Sequence, residues 1–371
     1  MNKTLAQGVR RSVRPLLVLA CLAPWLAQAA VLPEDRSDML YHYYDGGGVR
    51  ISGPAVLVRK GYGESLSFSG HYYIDNVTSA SIDVEMNASE YREQRDEVGV
   101  GVDYLHEDTI ISFNYVNSAE NDYDADTFAF SLAHEFMNGM TTLNLGVSRG
   151  FDTVGDSTDD TFAEDVDRYK YHFGVSQVIT PKMVMNFDYE VITAEGFLNN
   201  PYRVAIINGV PNVPERYPDS RASQAAAVSS IVYLGNRDSL RLYYRFYSDD
   251  WDIRAHTVEA GYTHHYSKDV LAEYRLRYYT QSDASFYSDN FSGIQQYMAR
   301  DKELSTFNSY SMGFKIEWDI FRRPTATFKA GKLNFSYNRF KFNYDNFSNY
   351  VTGEPYSFRA NVFQFYFSLF Y

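Results

Sequence analysis

Apolar and polar residues alternate one by one along most of this chain, in runs of about ten to fifteen residues. In the run at 183–191, Met185 and Phe187 alternate with Asn186 and Asp188. Side chains with a period of two lie on opposite faces of an extended strand. The pattern therefore predicts β-strands, each with one apolar and one polar face. Other such runs lie at 66–75, 98–104, 128–132, 169–176, 240–246, 274–278 and 310–318.

Short and long connections alternate between the predicted strands. The short ones carry the Gly, Pro, Asn and Asp residues that tight turns require. They lie at 106–108, 137–140, 180–182, 235–238, 267–269 and 322–324. The long polar loops lie at 152–165, 195–220, 284–304 and 345–356. This arrangement is typical of outer-membrane β-barrels, which carry turns at one end and extended external loops at the other.

The chain ends on RANVFQFYFSLFY, and its last twelve residues carry no charge. One face of this segment is wholly apolar. It comprises Phe363, Phe365, Phe367, Leu369 and Tyr371. Such a face needs a protein core or lipid to cover it, and in hydrocarbon every backbone polar group must find a partner. We interpret the segment as the closing strand of a barrel and as the signal through which the barrel-assembly machinery recognises it.

A soluble β-sandwich is the alternative to a membrane barrel, because its strands also alternate. Sandwich strands are usually shorter, whereas the runs here match a tilted membrane-spanning strand with some overhang. We predict an all-β fold: a transmembrane antiparallel up-and-down β-barrel with short periplasmic turns and long extracellular loops. Fifteen runs are clear, and MLYHYY before Asp45 supplies a sixteenth. Fourteen strands with an inserted N-terminal segment is the other count.

Composition excludes two broad classes. No stretch after residue 30 is long and apolar enough for a helical span, and the mean hydropathy is −0.38. The net charge of −13 and the lack of a basic stripe argue against nucleic-acid binding. The 33 Tyr and 26 Phe residues suit strands at a boundary between lipid and water.

Residues 1–29 are predicted to be a cleaved signal peptide, which leaves a barrel domain at 30–371. Three arginines precede an apolar stretch, and the small residues at 27–29 fit the cleavage rule. A lipoprotein site ending at Cys21 is the alternative interpretation. Cys21 is the one cysteine of the chain, so a mature barrel has no disulfide to stabilise it.

Charged residues of three neighbouring strands fall on the lumen face once the apolar residues fix the outward face. They are Arg241, Arg245, Glu259, Glu273, Arg275 and Arg277. Rings of basic side chains beside a passage favour anions. The alternative is that opposite charges brace neighbouring strands. The interleaving of opposite charges favours bracing, and both roles can hold together.

A long predicted external loop carries the motif ARDKELSTF at 299–307. Its charged residues are candidates for a salt-bridged segment that folds back into the barrel mouth as a constriction. They are Arg300, Asp301, Lys302 and Glu303. Candidates to pack against this segment are GFLNNPYR at 196–203 and the DNF motifs at 289–291 and 345–347.

The segment 151–167 holds seven acidic residues. Oxygen-rich loops can bind calcium, but the spacing misses the ligand pattern of a helix–loop–helix site. Solvation of an external loop is the simpler interpretation.

Enzymatic chemistry has little support. His106 lies beside Glu107, and His256 lies near Asp252, but neither pair belongs to a recognisable motif. The adjacent histidines at 264 and 265 point to opposite faces of a strand. We therefore predict no catalytic residues, no metal site and no cofactor.

Several segments of the chain resemble one bacterial family. They are YHYYDGGGV, SASIDV, VDYLHE, ENDYDADT, GFLNNPYR and ARDKELSTF. The family is the uncharacterised domain of unknown function 3570, whose members are expected to form outer-membrane barrels. The resemblance extends from about residue 34 to the end. It implies fold and location but no activity, and family members are often encoded near a small lipoprotein and a flavin-attaching enzyme.

The first hypothesis is an outer-membrane channel or transporter for small polar or anionic solutes. The second is a structural barrel that docks a periplasmic or lipoprotein partner in an envelope redox assembly. An outer-membrane enzyme is the third. The expected surroundings are outer-membrane lipid and lipopolysaccharide, and nucleic acid is not an expected partner.

Overall fold

The computed structural model describes residues 30–79, 91–159, 161–323, 325–350 and 352–371. These residues form a closed antiparallel β-barrel of sixteen strands and a separate two-stranded hairpin. The barrel strands are β1 (Arg36–Gly46), β2 (Val49–Tyr62), β3 (Leu66–Ser79), β4 (Tyr91–His106), β5 (Thr109–Ala119), β6 (Tyr123–Phe136), β7 (Thr141–Gly155), β8 (Ala163–Thr180), β9 (Met183–Gly196), β12 (Ser220–Gly235), β13 (Asp238–Asp249), β14 (Arg254–His265), β15 (Val270–Gln281), β16 (Phe307–Arg322), β17 (Ala330–Ser348) and β18 (Pro355–Phe370). The hairpin strands are β10 (Val204–Ile207) and β11 (Val210–Pro214).

The predicted barrel and its count of sixteen strands are confirmed. The predicted signal peptide at 1–29 lies outside the described residues. No helix in the described part of the chain is long and apolar enough to cross a membrane.

The C-terminal strand closes the barrel, as its sequence predicts. β18 pairs with β17 on one side and with β1 on the other. Phe365 lies opposite Tyr41, and the two side chains are 49% and 53% exposed on the outer wall. Closure leaves no barrel strand in the described structure with an unpaired edge, which is the condition for burying strands in hydrocarbon.

The two ends of the barrel carry different connections. At the turn end, Arg36 of β1 lies opposite Phe370 of β18, so the first and last barrel strands meet there. The connections at this end are short; Asn236 and Arg237 join β12 to β13 with φ of 51° and 67°, the backbone that a tight hairpin turn needs. The opposite end, called the loop end, carries the longest connections. The predicted placement of short turns at one end and long loops at the other is confirmed, although the connections 47–48 and 120–122 at the loop end are as short as the turns.

Some predicted loops are shorter than the sequence pattern indicates. Half of the segment 152–165 is strand, because β7 and β8 continue pairing to Gly155 and Ala163. Similarly, β17 continues to Ser348, inside the predicted loop 345–356. Strands that protrude beyond lipid can carry polar residues on both faces, so the alternation weakens before the pairing ends.

The two faces of the barrel differ in chemistry. Large apolar side chains on the outer wall are not covered by protein; Met312 is 67% and Leu276 is 58% exposed. On the inner face, small polar side chains such as Ser67 and Ser309 are fully buried. Removing apolar surface from water is favourable by about 25 cal/mol per Å². This outer wall is therefore suited to contact with lipid.

Candidate functional site

Two long connections at the loop end fold against each other, and together we call them the cap. The first is 197–219, which contains the hairpin β10–β11. The second is 282–306, which contains the 3-10 helix Lys302–Leu304. The cap therefore has regular structure of its own at the loop end of the barrel.

Backbone hydrogen bonds and a small apolar core join the two halves of the cap. The amide of Phe291 donates to the carbonyl of Ile206 at 2.8 Å. Met298 and Arg216 exchange amide–carbonyl hydrogen bonds of 2.8 and 2.9 Å. Phe291 and Met298 are buried with Ala205 between the two segments. Because each half satisfies backbone groups of the other, the cap folds as one unit.

An aromatic cluster fixes the cap to the barrel wall. Trp251, in the connection between β13 and β14, meets Phe286 of the cap edge to face, with ring centroids 5.1 Å apart. Leu304 of the cap is buried in the same cluster. Aromatic rings of the wall complete the cluster, at Tyr247, Phe307, Phe342, Tyr344, Phe347 and Phe358. The large area that such rings bury makes the cap part of the folded barrel.

Arg300 is the central buried cation of the cap. Its side chain is 2% exposed and forms an ion pair with Asp289 at 2.9 Å. It also donates to the carbonyl oxygens of Asp289 at 3.0 Å and Ser348 at 2.7 Å. The guanidinium lies 4.4 Å from the ring centre of Phe347. Arg300 therefore joins the cap to β17, through both DNF motifs that the sequence singles out.

The other charged residues of the motif surround the 3-10 helix. Asp301 forms an ion pair with Arg203 at 2.6 Å, so its partner lies on the other half of the cap. The Asp301 carboxylate also accepts from the amide of Glu303 at 2.9 Å, which caps the helix that begins at Lys302. The side chain of Gln281 donates to the Glu303 carbonyl at 2.9 Å, which ties the helix to β15.

Glu215 is a buried acid between the two halves of the cap. Its carboxylate accepts from the Tyr217 hydroxyl at 2.7 Å and from the Arg300 amide at 2.6 Å. Burial raises the pKa of Glu215 to about 7, and the nearby negative charge of Asp301 also raises it. Removal of its proton near neutral pH therefore puts charge into a buried contact between the two loops.

Beneath the cap, the predicted lumen residues stand on β13, β14 and β15. Their strands alternate outward apolar residues such as Leu242 and Leu276 with inward residues. The inward residues include all six candidates: Arg241, Arg245, Glu259, Glu273, Arg275 and Arg277. The strand register puts Arg241 and Arg275 on either side of Gly261, where no side chain separates them.

The four arginines of this wall divide into two kinds. Arg245 lies 3.5 Å from Glu190 of β9, and Arg275 lies 2.8 Å from Glu273. Arg241 and Arg277 form no ion pair with any carboxylate in the described ranges, although Glu259 is the register partner of Arg277. Bracing therefore accounts for two of the arginines. The other two face the lumen without an ion pair in the described structure, Arg277 opposite Glu259 and Arg241 opposite Gly261.

Elsewhere on the lumen face, opposite charges are closely paired. Lys170 lies 2.7 Å from Glu190, and Lys332 lies 2.5 Å from Glu317. Arg241 and Arg277, which form no ion pair in the described structure, consequently differ from these residues.

Sequence reasoning missed a second lumen cluster, on β1, β3 and β4. The ring of buried His42 lies 2.6 Å from the Asp75 carboxylate, which also pairs with Arg95 at 2.8 Å. The His42 ring stacks on Tyr73 with centroids 4.8 Å apart. These residues are dispersed along the chain, and only the strand register brings them together.

In the described structure, no hydrogen bond or ion pair joins the histidine and the acid in either pair considered for catalysis. His106 lies at the turn end, and its ring contacts Tyr104 with centroids 6.3 Å apart. His256 faces outward and hydrogen-bonds the Tyr244 hydroxyl at 2.9 Å. Asp252 has φ of 72° in the β13–β14 connection.

The described acidic residues of the segment 151–167 are distributed over β7, the β7–β8 connection and β8. Asp156 and Asp159 accept hydrogen bonds from Thr158 and Thr161, which are local turn contacts. Three carboxylates within 4.8 Å of one another occur instead on β4 and the β5–β6 connection. They are Glu93, Glu120 and Asp122.

Comparison with solved structures finds siderophore receptors among the similar barrels. PirA from Pseudomonas aeruginosa has a TM-score of 0.46 at 10% identity, over 86% of this chain and 60% of that one. PirA from Acinetobacter baumannii has a TM-score of 0.46 at 9% identity, over 88% and 57%. The alcaligin receptor FauA from Bordetella pertussis has a TM-score of 0.41 at 14% identity, over 85% and 52%. This chain thus spans 52–60% of the length of these receptors.

No curated protein matches the sequence. The model of one protein family, described as a protein of unknown function (DUF3570), matches residues 86–339. That match covers more than half of the chain and includes β4 to β16. The protein therefore belongs to this family, as the resemblance of its sequence segments predicts.

Proposed function

We propose that this protein is an outer-membrane channel or transporter that favours small anionic solutes. Two features of the described barrel support a location in the membrane. Its outer wall exposes apolar side chains that suit contact with lipid, and its closed strand ladder leaves no unpaired backbone edge in hydrocarbon. A barrel of sixteen strands is also of the size that encloses an aqueous passage.

The anion preference is inferred from Arg241 and Arg277, which form no ion pair with a carboxylate in the described structure. Both face the lumen; Arg241 lies opposite Gly261, and Arg277 lies opposite Glu259. Fixed positive charge on a passage wall lowers the energy of an anion there and raises that of a cation, more strongly where the walls are of low dielectric. The paired arginines at 245 and 275 hold the strands and contribute little net field.

The cap supports selection by size. It stands over the mouth on the side of β13 to β18 and is anchored by the aromatic cluster, so a large solute meets folded structure there. Small hydrated anions are the solutes that both features favour.

Ion selectivity of the purified protein in planar lipid bilayers tests the proposal. Under a salt gradient, the wild type is expected to show stepwise openings with a reversal potential on the anion side. The variant Arg241→Glu with Arg277→Glu replaces two lumen cations by anions and is expected to move the reversal potential to the cation side. Lys268→Glu, at an exposed turn (86% exposed side chain), is the matched control and is expected to leave it unchanged.

Electrical silence of the wild type would overturn the proposal, and co-purifying periplasmic proteins would then favour a docking barrel. An unaltered reversal potential in the double variant would show that these arginines do not set selectivity.

A further inference from the structure

The outer wall of β17 and β18 changes abruptly from aromatic to cationic toward the loop end. On β17, the outward residues Phe335 and Tyr337 are followed by Arg339 and Lys341. On β18, Arg359 is the register partner of Lys341. We call Arg339, Lys341 and Arg359 the outer basic cluster.

Direct pairing of two cations across strands is unfavourable. Side chains opposite each other in an antiparallel ladder have Cβ atoms only about 5 Å apart, and like charges there destabilise the sheet. Lys341 and Arg359 are such a pair. Within the described part of the chain, no carboxylate forms an ion pair with any member of the cluster; Lys341 donates to the Ser357 hydroxyl at 2.7 Å. An anion from outside the chain would relieve this repulsion.

Acidic side chains on the same outward face are few. Asp45 of β1 is the register partner of Asn361, which in turn lies opposite Arg339, so a strand separates it from the cluster. Asp345 lies further toward the loop end on β17. The charge of the cluster is therefore not cancelled locally.

A groove of about 550 Å³ adjoins the cluster on the outer wall. The cluster lines one part of it, and Ala260, Leu276 and Met312 line the apolar part. Leu276 and Met312 are register partners and more than half exposed, while the small side chain of Ala260, on the other side of Leu276, leaves a depression beside them. The groove thus combines a cationic rim with an apolar trough, which is the complement of an anionic lipid.

The height of the cluster fits the outer headgroup layer. At about 3.3 Å per residue and a tilt of about 40°, Arg339 lies roughly 23 Å and Lys341 roughly 28 Å above the turn end of β17. The apolar band of such barrels is about 25 Å tall. The cluster consequently lies at the upper edge of the band, on the side of the long external loops.

We propose that the outer basic cluster and its groove form a binding site for a phosphorylated outer-leaflet lipid of the lipid A type. Its phosphate accepts hydrogen bonds from the guanidinium groups of Arg339 and Arg359 and pairs with the ammonium of Lys341. Arginine binds phosphate in a two-pronged geometry, which makes such contacts strong. One acyl chain lies along the trough formed by Leu276 and Met312. The inference rests on the outer-membrane location in the proposed function, not on its anion preference.

Binding of lipid A to the purified barrel in detergent tests this inference. Native mass spectrometry and a titration are expected to show that lipid A binds at least ten-fold more tightly than either dephosphorylated lipid A or inorganic phosphate. The triple variant Arg339→Gln, Lys341→Gln, Arg359→Gln is expected to lose at least ten-fold in affinity. The matched control is Arg149→Gln, an outward arginine already paired with Asp167 at 3.0 Å, and it should bind lipid A as the wild type does.

Equal binding of the dephosphorylated lipid, or an unaffected triple variant, would overturn the site. The bilayer reversal potential separates this failure from failure of the proposed function, because the triple variant leaves the lumen unchanged. A barrel that keeps its anion preference but does not distinguish lipid A refutes the lipid site alone.

Discussion

Arg241 and Arg277 differ from Arg245 and Arg275 in their partners, although all four stand on one wall. A carboxylate that neutralises a lumen arginine also cancels most of its field in the passage. Ion pairs with partly exposed side chains stabilise a fold by only about 0–1 kcal/mol. The arginines in ion pairs therefore mainly hold neighbouring side chains in place. The arginines without an ion pair act mainly on the energy of a charged solute in the passage.

The buried acid of the cap gives the clearest pH prediction. Glu215 has a pKa raised to about 7 in the folded cap, so the folded state holds its proton where the unfolded state has lost it. Its contribution to cap stability is thus fully present in acid and is lost as the pH rises through about 7. The charges that face it, on Arg203 and Asp301, belong to the two halves of the cap.

Fluorescence of Trp251, which is 5% exposed in the aromatic cluster, can report opening of the cap. In a Trp318→Phe background, acrylamide quenching is expected to rise as the pH increases through about 7. Glu215→Gln should make the quenching independent of pH in this range. Glu164→Gln, on the exposed start of β8, should keep the wild-type response, and a flat wild-type response would contradict the prediction.

At the scale of elements, the cap depends on the hairpin β10–β11. The hairpin supplies Ala205 and Ile206 to the contact with the other half of the cap, whereas it pairs with no barrel strand in the described structure. The barrel ladder can consequently form without it.

Replacing residues 204–214 by a short Gly–Ser linker is expected to raise single-channel conductance severalfold. Anion preference should persist, because the lumen arginines are untouched. A linker of matched composition in place of 325–329, at the turn end, is the control and should leave conductance unchanged. Equal conductance of the hairpin variant and the wild type would mean that the cap does not restrict the passage.

At the scale of the whole molecule, the decisive question is what covers the outer wall. Phe130 of β6 points outward and is 46% exposed, while its neighbour Ser131 faces the lumen opposite Gly146. An arginine side chain that contacts lipid lowers the stability of a barrel, whereas one in a water-filled lumen does not. A barrel surrounded by water would tolerate the outward arginine at least as well.

Phe130→Arg is therefore expected to lower the free energy of unfolding by about 2–4 kcal/mol in lipid bilayers. Ser131→Arg should change it by much less. Urea unfolding of both variants in bilayers gives the comparison. Equal stability of the two variants would indicate that lipid does not contact β6.

The sequence by itself determined the strands, their outward and inward faces, the alternation of turns and loops, and the closing role of the C-terminal segment. These features follow from a period of two, which is a local property of the extended backbone. Family membership, too, could be recognised from the sequence. The ends of the strands were less predictable, because pairing continues to Gly155 and Ala163, where the alternation has weakened.

Only the tertiary structure decided which charges are paired. Glu190 and Arg245 are 55 positions apart, and the strand register brings them together, while it leaves Arg241 without a carboxylate. The same holds for Lys341 and Arg359, which become direct neighbours through the register of β17 and β18. The cap likewise joins two loops that are distant in sequence. Such contacts depend on how the closed barrel aligns its strands, and that alignment is a property of the whole ladder rather than of any one segment.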